Sequence, residues 1–169
     1  MAQNVMAAPR ILFVCLGNIC RSPTAEGVFR TFAAREGLNI GADSCALSHW
    51  HIGAPPHPDS IAAAARRGHD LTALRARRIE APDFIRFSHV LVMDHENLAA
   101  AHTLRPPGGT APRLLMDYAP QAGRTDIPDP WHTGDFEETL NLIEAACTGL
   151  VQALAKAAPW VTPRSKPQP

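Results

Sequence analysis

The chain predicts a single α/β domain: a central, mostly parallel four-stranded sheet flanked by helices on both faces. Three observations carry that expectation. The length, 169 residues, suits one domain and is too short for two ordinary ones. Short β-rich apolar runs alternate with segments of helical period, the pattern of a parallel sheet with crossover helices. No internal repeat interrupts the alternation.

The first strand is expected at Arg10 to Val14 (RILFV), too brief for a helix and ending at Cys15. LGNICR then forms a loop. Ser22-Pro23 reads as a helix start, with Ser22 as N-cap and Pro23 in the first helical position, where its missing N–H costs nothing. Ala25, Val28, Phe29, Phe32 and Ala33 follow at helical spacing, and Gly37 supplies the stop. A second strand falls near Ile40 to Leu47, followed by a loop (HIGAPPHPDS) that Pro55, Pro56 and Pro58 keep irregular. An Ala-rich helix, Ile61 to Arg67, ends at Gly68. His89 to Met93 is the third strand, and Asp94 caps a helix running to about Ala101. Arg105 to Pro112 is an irregular connection, and Arg113 to Met116 a short fourth strand. From Asp135, paired with Glu138 as a capping box, Phe136, Leu140, Ile143, Cys147, Leu150 and Leu154 form the apolar stripe of one long helix. The resulting division is a flexible N-terminal extension at 1–9, the domain at 10–158, and a frayed tail at 159–169 with Trp160 as its anchoring patch.

Sixteen basic against sixteen acidic residues give no net charge, which argues against broad electrostatic attachment to nucleic acid or to an acidic membrane. No apolar run approaches the roughly 20 residues of a membrane span, and Met1 to Arg10 does not look like a secretory signal, so a soluble, cytoplasmic protein is expected. Four cysteines are too few for a disulfide scaffold, and free thiols are the default in that compartment.

One of those thiols stands where chemistry is expected. Cys15 closes a strand, and the loop Leu16, Gly17, Asn18, Ile19, Cys20 leads to Arg21 and Ser22 at a helix start. Successive backbone N–H groups in such a loop, with the positive end of the helix behind them, form a nest for a phosphate-like dianion. Gly17 and Asn18 are residue types that tolerate a left-handed turn. The same field favours the thiolate of Cys15, to which Ser22 can donate, and the Arg21 fork can grip two phosphoryl oxygens. The spacing C-x5-R-[ST] is expected by chance about 0.03 times in a chain of this composition. A buried structural cysteine, or half of a zinc site from Cys15 and Cys20, are the competing readings of the loop.

The segment VCLGNICRSPTAE resembles the signature of the low-molecular-weight protein tyrosine phosphatases, and the resemblance runs from about Ile11 to Ala155. It also takes in Asp129-Pro130-Trp131, like the family's late Asp-Pro general-acid motif. Trp50 lies in DSCALSHWHIGAPP, where members carry a cleft aromatic, after Asp43 and the loop-supporting Ser44, and Met93 to Leu98 is similar to the family's strand-to-helix segment. The resemblance implies hydrolysis of phosphotyrosine and small aryl phosphates in two steps, without metal or cofactor. Cys15 is then the nucleophile, Arg21 and the loop amides bind the phosphoryl group, and Asp129 is acid and then base. Trp50, Trp131 and His132 line the substrate cleft, and Cys20 is the redox partner that protects Cys15 through a disulfide. A phosphotyrosine protein is the implied partner, opposite a tyrosine-kinase-containing system, and the chain is expected to be a monomer.

Two departures stand out. His132 follows Trp131 where members often have a second aromatic, and Leu74 stands where many place a histidine that buttresses the loop. Outside the motifs, Asp-Pro is a common turn dipeptide, His49, His51 and His57 read as exposed loop residues rather than a metal site, Arg75, Arg77 and Arg78 as a solvated face, and Cys45 and Cys147 as core. Three rival functions are weighed. A phosphoarginine phosphatase implies Thr in place of Ile19. An arsenate reductase needs further cysteines between Cys45 and Cys147. A non-catalytic phosphate-binding or redox module implies a broken catalytic set.

Overall fold

The computed structural model describes residues 7–158; residues 1–6 of the expected N-terminal extension and the expected tail with Trp160 lie outside them. Four parallel strands, β1 (Arg10–Cys15), β2 (Gly41–Ala46), β3 (His89–Val92) and β4 (Pro112–Leu114), form one sheet in the order β2-β1-β3-β4. The helices are α1 (Arg21–Arg35), α2 (Pro58–Arg66), α3 (Asp83–Arg86), α4 (His95–Leu104), α5 (Pro130–Thr133) and α6 (Phe136–Ala157).

The pleat explains the layering. Ile11 and Phe13 of β1 and Leu91 of β3 point into a core completed by Val28 and Phe29 of α1 and Leu140, Ile143 and Leu150 of α6. The alternate residues, Leu12, Val14, Val90 and Val92, pack on the opposite face against Phe84 of α3, Phe87, and Ala101 of α4. Both faces are therefore covered, and the two central strands, β1 and β3, are apolar nearly throughout, as strands buried on both faces require. From β1 the chain moves to β2 on one side and then crosses to β3 on the other, so the strand order reverses at the carboxyl end of β1. Ligands of open α/β sheets bind at such switch points. Cys15, the last residue of β1, sits at this one.

The elements follow the expected order, with several local corrections. Ser22 does not cap α1: the helix begins two residues earlier, at Arg21 behind Cys20, which makes no side-chain cap, and the Ser22 hydroxyl is used by the loop. Pro23 still lies in the first turn, where N–H groups have no partner in the helix. Pro58 starts α2 rather than keeping the chain irregular; it occupies the first helical position behind His57, whose ring accepts a hydrogen bond from Asp59 N at 3.1 Å. The fourth strand is only Pro112–Leu114, and the following Leu115–Tyr118 tightens into a 3-10 turn. α4 extends to Leu104, and the single-turn helices α3 and α5 are too short for periodicity to reveal.

Gly37, at φ 68°, ends α1 as expected, with Leu38 N bonded back to Ala33 O at 2.9 Å. Gly149 has a different purpose. It lets α6 lie directly on the Leu115–Tyr118 turn, and a Cβ there would collide with the Tyr118 carbonyl oxygen. Gly149→Ala should therefore destabilise the fold by about 1–3 kcal/mol, even though alanine favours a helix by about 1 kcal/mol. Urea unfolding of the two proteins checks this; a more stable variant would show that α6 has room to move.

Candidate active site

The loop from Leu16 to Cys20 is shaped by one residue. Asn18, at φ 56°, is the only non-glycine residue in left-handed backbone among the described residues. Gly17 is not left-handed; its smallness instead admits the ring of His51, 3.1 Å from where its Cβ would stand. The turn at Asn18 aims its backbone N–H at Cys15 Sγ, 3.2 Å away. Its side chain holds the turn in place: Nδ2 donates to Ser22 Oγ (2.7 Å) and Ser44 Oγ (3.0 Å), and Oδ1 accepts from Arg77 N (3.1 Å). Ser22 Oγ accepts from Asn18, and its own proton has two acceptors in reach, Cys15 Sγ at 3.0 Å and the Cys45 carbonyl oxygen at 3.5 Å. Ser44 donates in turn to Glu26 Oε1 at 2.8 Å.

Arg21 is buried beneath this loop at 3% exposure. Its Nη1 donates to Asp94 Oδ2 (2.6 Å) and to Ile127 O (2.9 Å), and its Nη2 lies 3.5 Å from Asp129 Oδ2. Burial opposes the charge, but Cys15, Asp94 and Asp129 outweigh it and hold the Arg21 pKa above its ordinary value. Asp129 is fixed by its other oxygen, which accepts from Trp131 N at 3.0 Å and caps α5. The turn dipeptide and the candidate acid are thus the same residue.

Cys15, Arg21 and Asp129 line one pocket of about 180 Å³, whose walls include Trp50, Trp131 and His132. Trp50 and Trp131 are 65% and 57% exposed, so they are wall residues rather than core. Leu16, Gly17, Ile19 and Cys20 also line the pocket, whereas Asn18, Ser22 and Ser44 are buried behind it. His51 and His57 are not simple exposed loop residues. Both are half-buried, with ring centres 5.9 and 5.8 Å from that of Trp131, and His57 also stacks on Phe136 at 4.9 Å. His49 is exposed.

Two further expectations change. Arg77 is no solvated residue: its guanidinium bonds Asp43 Oδ2 (3.0 Å) and both oxygens of the fully buried Asp83 (2.9 and 3.1 Å). Its backbone N–H supports Asn18, a support that Leu74, half-buried, does not supply. The other omissions are Glu26 and the second task of Asp94, which caps α4 with Oδ1 while Oδ2 holds Arg21. Glu26 lies four residues after Ser22, one turn along α1, and that spacing placed a carboxylate on the loop's side of the helix.

Cys20, Cys45 and Cys147 are buried, and burial pushes their thiols up, that of Cys20 to about 12. Cys45 and Cys147 lie in the two cores, as expected.

The chain matches the family model for low molecular weight phosphotyrosine protein phosphatase over residues 10–159. It is 40% identical to the low molecular weight protein-tyrosine-phosphatase YfkJ of Bacillus subtilis over 86% of this chain and 96% of that one. It is 35% identical to the low molecular weight phosphotyrosine protein phosphatase of Sus scrofa, over 90% and 98%. The crystal structure of YfkJ superposes with a TM-score of 0.85, covering 89% of this chain and 97% of that one at 38% identity. That of a drosophila arginine phosphatase gives 0.79, over 85% and 96%, at 28% identity.

Two outcomes follow from the buried groups. Native protein at neutral pH should take up one equivalent of iodoacetate, at Cys15, while Cys20, Cys45 and Cys147 react only after unfolding; peptide mapping reads the sites. Burial raises the Glu26 pKa, more than its bonds from Ser44 and Arg30 lower it. A carboxyl whose pKa is higher in the fold than in the unfolded chain costs stability as pH rises through the raised value. Glu26→Gln should therefore gain on wild type, in thermal midpoint, from acidic to neutral pH; a constant difference would refute this.

Proposed function

The chain belongs to the low molecular weight phosphotyrosine protein phosphatase family, and from that premise we propose that it hydrolyses phosphotyrosine in proteins, and small aryl phosphates, through a cysteinyl-phosphate on Cys15. The observation that most supports this reading is the meeting of Cys15, Arg21 and Asp129 in one pocket between two indole walls.

Each step has a group suited to it. The Cys15 thiolate attacks phosphorus in line with the departing phenolate. The equatorial oxygens take hydrogen bonds from the loop N–H groups and from the Nε and Nη2 edge of Arg21, since Asp94 and Ile127 already hold Nη1. Ser22 stabilises the sulfur when it attacks and again when it leaves. Asp129 protonates the phenolate and then takes a proton from the water that hydrolyses the cysteinyl-phosphate. Trp50 and Trp131 hold the aryl ring, and His132 at the rim adjusts the choice of leaving group.

Phosphoarginine is the competing substrate, one that the name of the drosophila neighbour brings into the test. Ile19, which lines the pocket where the resemblance places Thr in enzymes of that kind, favours phosphotyrosine. Peroxide converts a thiolate to a sulfenic acid, and Cys20 then condenses with Cys15 to a protective disulfide with loss of water. The substrate is a cytoplasmic phosphotyrosine protein, in opposition to a tyrosine kinase.

With chelator present, wild type should hydrolyse p-nitrophenyl phosphate and phosphotyrosine peptides faster than phosphoarginine peptides. Cys15→Ser should be inactive, and Asp129→Ala should lose about 10²-fold or more in kcat. A wild-type protein that binds phosphate without turnover would leave only a binding module. Mass spectrometry after mild peroxide should find the Cys15 to Cys20 bond; sulfinic Cys15 without it would remove the protective role.

A further inference from the structure

We propose that an open groove beside the pocket is a docking site for an apolar side chain flanking the phosphotyrosine of the substrate protein. The proposal rests on the reading above and names the substrate class more closely. The groove has a volume of about 500 Å³, and Ile19, Ala54, Pro55, Pro56, Ile61 and Trp131 line it. It shares Ile19, His51 and Trp131 with the catalytic pocket, so the two are continuous.

Geometry makes that continuity useful. An extended peptide rises about 3.3 Å per residue, so residues one to three places from a phosphotyrosine seated over Cys15 pass within about 10 Å of the pocket mouth. The chemistry of the lining then decides what is preferred. None of the described residues that line the groove is Lys, Arg, Asp or Glu, and its two histidines, His51 and His57, have their rings packed on Trp131, so the groove offers a flanking side chain mainly apolar surface. An apolar one gains by leaving water. The pocket also carries exposed apolar residues that do not belong to the groove, Leu16 and Trp50.

The groove is also preformed. Three prolines, Pro55, Pro56 and Pro58, fix the backbone of its floor. Ala54 O accepts from Ala76 N at 2.9 Å, and His57 N donates to Ile19 O at 2.7 Å, which ties the groove to the phosphate loop. The His57 ring stands edge-on to Trp131 and stacks on Phe136, so the wall between pocket and groove is braced from behind. A preformed surface loses little conformational freedom when it is occupied.

The test compares phosphotyrosine peptides of equal length carrying leucine, serine or glutamate beside the phosphotyrosine, with p-nitrophenyl phosphate as a substrate that cannot reach the groove. The enzymes are wild type, Ile61→Glu and Pro55→Glu; Pro55 is exposed, so its variant tests the groove even if Ile61→Glu folds poorly. Wild type should favour the leucine peptide over the serine one by about fivefold, carried in KM. Both variants should lose that preference while kcat/KM for p-nitrophenyl phosphate stays unchanged. Equal kcat/KM for the leucine and serine peptides, or a preference that survives both variants, overturns the proposal. So does a change in solution mass with selectivity intact, which would make the groove a contact between two copies. If wild type turns over no aryl phosphate at all, the phosphatase reading falls first and the docking site falls with it.

Discussion

The left-handed turn at Asn18 is the constraint on which the site depends. In that conformation the backbone N–H of Asn18 points at the Cys15 sulfur, and a non-glycine side chain holds it there only because all its polar atoms are satisfied. Glycine would adopt the same backbone more easily but could not be fastened. The partners come from three separate elements: Ser22 from α1, Ser44 from β2, and Arg77 from the connection before α3. The loop is thereby bound to the sheet and the helix at once, and the orientation of its backbone N–H groups is fixed.

A second set of bonds brings the late part of the chain to this loop. Ile127 N donates to Met93 O at the end of β3, and His95 holds Asp126 Oδ1 with both its backbone N–H (3.2 Å) and its ring (2.6 Å). Ile127 O then receives Arg21, and Asp129 follows two residues later. Asp94 serves both sides, since one oxygen starts α4 and the other fixes Arg21. The candidate acid therefore reaches the pocket through a segment docked on β3, the strand on the opposite side of β1 from β2. Fold and site meet at the switch point.

Much of this was legible in the residues and some was not, for identifiable reasons. The strands, the long amphipathic α6 and the caps at Asp94 and Asp135 are local features that spacing and residue type reveal, and the structure has them. The residues gathered in the pocket were legible because the C-x5-R-S loop and the Asp-Pro-Trp segment each fit into a few consecutive residues. The supports were not. Arg77 looked like one of three exposed arginines because its partners, Asp43 and Asp83, are 34 and 6 residues away and meet it only when β2 and α3 pack together. His51 and His57 looked like loop residues because nothing in a Pro-rich stretch tells that Trp131, far along the chain, will pack between them. Ser22 was misplaced for the opposite reason. Its type is right for a cap, but the tertiary demand of the thiol and Asn18 took its hydroxyl.

The charges around Arg21 show how the proposed chemistry and the fold bear on each other. A guanidinium at 3% exposure needs counter-charge, and Asp94 supplies it at 2.6 Å through Oδ2 while its Oδ1 caps α4. Asp129, at 3.5 Å, is the looser partner and the one that lines the pocket. A phosphoryl dianion bound in the proposed reaction must share Arg21 with one of them, and Asp94, closer to the guanidinium and with its other oxygen capping α4, is the more firmly held. The newcomer therefore competes with Asp129. The phosphoryl group and the candidate acid of that reaction thus meet at the same edge of one guanidinium. In the proposed reaction, phosphate binding and acid catalysis converge on a single buried arginine, and the bond that fixes Arg21 Nη1 to Asp94 leaves Asp129 as the carboxyl that lines the pocket.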